Sequence, residues 1–150
     1  MDIAALIAWV VTALGGFFLL ARWIAGGGLR GQRAGAARFP APLVFGHFLL
    51  AAAGLIVWIV YLAADRGALA WTAFGILVAV ALLGFTLFAR WLPVYRTAPA
   101  PPAPAAAAGP GGDATPPERH LPPTVVAAHG LLGAATLVLV LLAALGVGGS

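Results

Sequence analysis

Polar and apolar positions alternate along this chain on the scale of whole helices. The charged residues are Asp2, Arg22, Arg30, Arg33, Arg38, Asp65, Arg66, Arg90, Arg96, Asp113, Glu118 and Arg119. Between them lie four uncharged stretches, 3–21, 39–64, 67–89 and 120–150. Each holds the roughly 20 apolar residues that a helix needs to cross about 30 Å of hydrocarbon. The pattern predicts spans at 3–24, 43–63, 69–92 and 124–146. The expected fold class is all-α: an integral membrane four-helix bundle occupying 1–150 as a single membrane domain. The first connection, 25–42, is Gly-rich and carries Arg30, Arg33 and Arg38; its Gly26–Gly28 run reads as a flexible joint. The second, 64–68, is a tight turn. The third contains a Pro/Ala/Gly tract over 97–117 that cannot bury a core and reads as a flexible linker.

Composition narrows the class. Hydrophobic residues make up 63% of the chain and charged residues 8%, with a mean hydropathy of +1.05. Soluble domains run near 45–50% apolar and about 25% charged, so a soluble globule is excluded. Cysteine is absent, which removes disulfides, thiolate metal sites, iron–sulfur clusters and catalytic thiols. Serine occurs only at position 150, and no carboxylate falls within a predicted span. Those absences argue against a serine nucleophile in the bilayer and against a carboxylate-based ion path. Asp2 stands where a signal peptide would carry basic residues, so the first apolar run reads as a true span.

The arginines bear on orientation. Seven of the eight fall at one side of the predicted bundle, the exception being Arg66. The positive-inside rule assigns that side to the cytoplasm and both termini, with the Asp65–Arg66 turn, to the outside. No nucleic acid partner is implied, because the basic residues do not form a soluble patch. Abundant Ala, Gly, Pro and Arg without Lys suggests GC-rich bacterial coding, hence a multi-pass protein of the bacterial cytoplasmic (inner) membrane. Trp23, Trp91 and Tyr95 are expected at the inner interface, and Trp58, Tyr61 and Trp71 at the outer one.

A repeat emerges from the rare residues. Gly16-Phe17-Phe18-Leu19-Leu20-Ala21-Arg22-Trp23-Ile24 matches Gly84-Phe85-Thr86-Leu87-Phe88-Ala89-Arg90-Trp91-Leu92. His47-Phe48-Leu49-Leu50-Ala51-Ala52 matches His129-Gly130-Leu131-Leu132-Gly133-Ala134. Leu/Ala matches alone would mean little here, but Arg-Trp and His align in the same order. The chain reads as two tandem helical hairpins, about 3–63 and 69–146, forming a parallel internal repeat.

Intramembrane ionisable residues are expensive and are functional candidates by default. At 1.5 Å per residue, His47 lies about 7.5 Å past Pro42 and His129 about 9 Å past Pro123. The rings therefore fall at similar depth, and in an up-down bundle they face each other across a diagonal. That arrangement suits the two axial positions of a haem iron. Gly16 and Gly84 fall near the same level and make room for a macrocycle. Gly46, Gly130, Ala128, Ala51 and Gly133 are further small residues near the rings. Arg22 and Arg90, at the inner edge, are candidates to pair with haem propionates. Plainer readings stand beside these. Small residues favour close helix packing, Arg-Trp anchors a span end, and a membrane histidine can bond a neighbouring carbonyl. His120, beside Glu118 and Arg119, reads as solvated polarity.

At the pair His47 and His129 the chain resembles membrane b-type cytochromes of the four-helix kind, such as cytochrome b561-like proteins. The resemblance covers four spans and two axial candidates; those proteins typically carry two haems and four histidines. It implies a haem b-binding protein with one bis-His haem near the cytoplasmic side. The expected role is electron transfer, or a cytochrome-like subunit of a redox complex, rather than a stand-alone enzyme. Expected partners beyond the lipid bilayer are a quinone or a redox protein, and a larger membrane complex or homo-oligomer. Two other readings remain open: a scaffold or assembly subunit without cofactor, and a small transporter or metal-handling protein.

Overall fold

A computed structural model describes residues 1–97 and 115–147. Its elements in chain order are α1 (Asp2–Ala25), α2 (Gly28–Arg33), α3 (Ala41–Ala64), α4 (Gly67–Arg96), a 3₁₀ turn (Pro117–His120) and α5 (Pro123–Ala144). Four of these, α1, α3, α4 and α5, are long and apolar enough to cross a membrane. No strand occurs among the described residues, and the protein is an all-α bundle.

Local chemistry sets the helix ends. Asp2 lies in the first turn of α1, where a negative charge complements the helix dipole. Helices α3 and α5 each begin with proline at the first or second position, where a missing N–H costs nothing. Helix α3 stops at Asp65, whose φ of 49° is left-handed and whose N–H caps the Tyr61 carbonyl at 2.9 Å. Only Asp65 and Arg66 separate α3 from α4. Helix α4 runs through Pro93 to Arg96, four residues past the expected end of the third span. Pro93 gives up the bond its N–H would make to the Ala89 carbonyl, but its own carbonyl accepts from Thr97 N at 3.0 Å, so a last turn closes after it.

Helix α1 packs beside α5 and α3, and α4 beside α3 and α5. The diagonals are therefore α1/α4 and α3/α5. Toward the termini, a core gathers around Trp9, Trp58 and Tyr61 with Ala5, Ala70, Ala73, Leu77 and Val140. Trp58 lies 6.5 Å from Trp9 and 4.8 Å from Tyr61 between ring centres. Toward the arginine-rich end, Trp23, Phe39, Val44, Trp91 and Leu121 form a second core. Three tryptophans expected in the interfacial belts, Trp23, Trp58 and Trp91, are thus core residues, while Trp71 and Tyr95 are exposed. Large apolar side chains such as Leu14, Phe17, Ile56, Leu82, Phe85 and Leu131 point outward, as suits helices bathed in hydrocarbon.

The arginine-rich end is more built than its composition suggests. The Gly26–Gly28 joint expected to be flexible is packed. Gly27 adopts φ 92°, and Gly28 lies so close to the Trp23 indole that a Cβ would come within 2.3 Å of it. Of the linker expected over 97–117, residues 98–114 lie outside the described residues. Its far end is docked: Pro117 and Glu118 are buried, and Glu118 is fully enclosed rather than solvated. Glu118 Oε1 accepts from Trp23 Nε1 at 3.1 Å, Arg38 N at 3.1 Å and Phe39 N at 2.9 Å. One carboxylate oxygen thereby ties the 3₁₀ turn to the end of α1 and to the segment that enters α3.

Candidate histidine site

His47 on α3 and His129 on α5 meet across the diagonal, with ring centres 6.3 Å apart and planes inclined at 70°. Both rings are half-buried. His47 Nδ1 lies 3.0 Å from the Val80 carbonyl of α4, and His129 Nδ1 lies 3.0 Å from the Thr12 carbonyl of α1. A carbonyl oxygen can only accept, so in each case Nδ1 carries the proton and donates it. In the neutral imidazole this leaves the lone pair on Nε2. Both rings therefore hold the same tautomer, each locked by a neighbouring helix.

The repeated glycines explain how the rings reach those carbonyls. Thr12 is four residues before Gly16, and Val80 four residues before Gly84. In an α-helix each of these carbonyls already bonds the glycine's own N–H and offers the ring its second lone pair. A side chain at the glycine would stand in the approach. A Cβ on Gly16 would lie 2.8 Å from His129 Cε1, and one on Gly84 would lie 3.2 Å from His47 Cε1. Gly15 adds to the same wall, with His129 Nδ1 3.7 Å from its virtual Cβ. Gly46 and Gly130 meet nothing within 4 Å and take no part; Gly133 faces Thr12 rather than a histidine. Beside the pair, Thr12 and Thr136 bring their hydroxyls to 3.2 Å and link α1 to α5.

Each ring keeps an Nε2 lone pair with which it could hold a metal-containing group. Ligating histidines characteristically donate their other N–H to a carbonyl or carboxylate, which fixes the tautomer and ring orientation. Among the described residues no group of three or more His, Cys, Asp or Glu gathers. Any metal here would bring its remaining ligands with it.

Arg22 and Arg90, also expected at a cofactor, each bond a backbone carbonyl at the arginine-rich end. Arg22 Nη2 donates to the His120 carbonyl at 3.4 Å, and Arg90 Nη1 to the Arg38 carbonyl at 3.2 Å. They line separate clefts at the arginine-rich end. His120 is exposed. Sequence reasoning missed the Thr12 and Val80 carbonyls, which carry no side-chain signal. It also missed Glu118, whose signal was its rarity as the chain's only glutamate. Comparison with protein-family models, with curated proteins and with solved structures finds no match for this chain.

Proposed function

We propose that this chain binds one haem b between His47 and His129 and serves as a one-electron carrier, or as the cytochrome-like subunit of a membrane redox complex. The observation that carries the reading is the paired geometry. Two imidazoles stand 6.3 Å apart between ring centres, each with Nδ1 tied to a carbonyl of the adjacent helix. One such bond per ring is also what a structural histidine makes. Two of them at matched positions, with the lone pairs left on Nε2, are what two axial ligands require.

Bound there, the group would supply a single reversible electron. The chain's own residues would hold and tune it. His47 and His129 would hold it through their Nε2 lone pairs, with the Val80 and Thr12 carbonyls fixing ring orientation and raising basicity. Gly16 and Gly84 let the two rings close onto the Thr12 and Val80 carbonyls. The site lies nearer the arginine-rich end, so exchange with a quinone or a redox protein is expected from that side. The bacterial inner membrane is the proposed setting.

Reduced-minus-oxidised absorption of protein purified from haem-replete cells tests the reading. Sharp α and β bands are expected, with a pyridine haemochrome ratio near one haem per chain. His47→Ala and His129→Ala should each abolish the bis-histidine spectrum. Absence of the bands, or bands unchanged in both variants, would overturn it.

A further inference from the structure

Three arginines from distant parts of the chain line one cleft at the arginine-rich end. Arg38 comes from the segment before α3, Arg90 from α4 and Arg119 from the 3₁₀ turn; Pro93, Val94, Thr97 and Pro116 complete a cavity of about 420 Å³. We propose that this cleft is a binding site for a phosphate oxyanion presented at the membrane surface.

Charge makes the first argument. The described residues include three side-chain carboxylates, Asp2, Asp65 and Glu118; Asp113 lies outside them. Asp2 and Asp65 lie at the opposite end, where Tyr61 hydroxyl is 3.5 Å from Asp2 Oδ2. Glu118 is enclosed, with Oε1 committed to Trp23 and to the Arg38 and Phe39 amides. None of the three cleft arginines makes an ion pair with these groups. Among the described residues no carboxylate stands between these like charges, and an anion in the cleft would relieve their repulsion.

Positioning makes the second. Arg90 Nη1 is held by the Arg38 carbonyl at 3.2 Å, and Arg119 Nη2 by the Thr97 carbonyl at 2.6 Å. Each bond uses one of the five N–H donors of a guanidinium and leaves the others for a ligand. Guanidinium forks match phosphate oxygens in pairs. The Glu118 anchor keeps Arg38 and Arg119 close to Arg90, so the cleft is assembled from packed elements rather than from a loose basic tail. Its prolines and Val94 give an apolar wall beside the cations, at the end of spanning helix α4. A lipid phosphate with its glycerol backbone suits that combination of wall and charge. A free phosphate monoester shares the oxyanion chemistry.

The purified protein in neutral-lipid nanodiscs provides the test. Binding of phosphatidic acid added to the discs is compared with binding of inorganic phosphate, for the wild type and for Arg38→Gln, Arg119→Gln and Arg33→Gln. Arg33 shares the charged end but does not line the cleft. Each cleft substitution is expected to weaken binding about tenfold, and Arg33→Gln to leave it within twofold. Binding confined to phosphatidic acid assigns a lipid source, and equal competition by inorganic phosphate assigns a soluble one. Equal losses from Arg33→Gln and the cleft variants would overturn the proposal in favour of diffuse attraction. So would binding that appears only in His47→Ala protein, since a haem propionate would then own the cleft. Thermal melts of the variants establish that each remains folded, and the visible spectrum reports on the histidine site separately.

Discussion

At the residue scale, the two histidines are unequal despite their matched positions. Gly16 presses closer to its ring than Gly84 does, 2.8 Å against 3.2 Å from a virtual Cβ to Cε1. Gly16→Ala must therefore displace His129 and strain its bond to Thr12, whereas His47 can accommodate Gly84→Ala by a few tenths of an ångström. Overpacking of this kind costs about 1–3 kcal/mol. Gly16→Ala should fall within that range and Gly84→Ala below it, read from thermal unfolding in detergent. A larger loss from Gly84→Ala would reject the geometry. Where haem is bound, Gly16→Ala should also shift the bis-histidine electron paramagnetic resonance signal more than Gly84→Ala does. His47 and His129 were legible in the sequence because an ionisable side chain stands out in an apolar background. Their partners were not, because Thr12 and Val80 act through backbone oxygens that every residue carries. The glycines carried the only sequence trace of those contacts.

At the element scale, the long helices and the short ones differ in what specifies them. Helices α1, α3, α4 and α5 follow from runs of apolar residues bounded by charge, so their ends fell within a few residues of expectation. The difference is at α4, which continues through Pro93 to Arg96 beyond the expected end of the third span at 92. The cap at the arginine-rich end, formed by α2 and the 3₁₀ turn around Trp23 and Glu118, was not legible, because it is specified by tertiary contacts rather than by periodicity. Gly28 looks like a loop residue until the Trp23 ring lies on it, and Glu118 looks solvated until Trp23, Arg38 and Phe39 converge on one oxygen. These contacts carry a prediction. Glu118→Ala strands a buried indole N–H and the buried Phe39 amide, at about 1–3 kcal/mol for each unsatisfied group. Glu118→Gln retains an acceptor oxygen and should lose much less. Hydrogen exchange provides the measurement: Arg38 and Phe39 amides should exchange faster in Glu118→Ala while the centres of α1 and α4 keep their protection. Uniform acceleration across all helices would show that Glu118 supports the whole bundle instead of its cap. Gly28→Ala should open the same region, since the rigid indole of Trp23 cannot move aside as a flexible side chain would.

At the scale of the whole molecule, charge separates the bundle into two unlike ends. Arg22, Arg30, Arg33, Arg38, Arg90, Arg96 and Arg119 belong to one end, and Arg66 stands with Asp65 at the other. Short connections and residues near span ends are where Lys and Arg govern insertion, so the proposed orientation puts the seven arginines in the cytoplasm. The histidine pair would then sit on the cytoplasmic side of the midplane, and the Trp9–Trp58–Tyr61 core on the outer side. The absence of native cysteine makes this directly measurable, because a single introduced thiol has no background. Ala34 closes α2 at the arginine-rich end, and Ala68 lies in the first turn of α4 beside the Asp65–Arg66 turn; both are exposed. In intact spheroplasts, Ala68→Cys should react with a membrane-impermeant maleimide, whereas Ala34→Cys should react only after the membrane is opened. The reverse pattern would place the arginines outside and move the expected electron partner to the other compartment. Labelling of both sites in intact spheroplasts would mean that α3, the one helix between them, does not cross the bilayer, and would reject the four-span arrangement on which His47 is placed in the membrane.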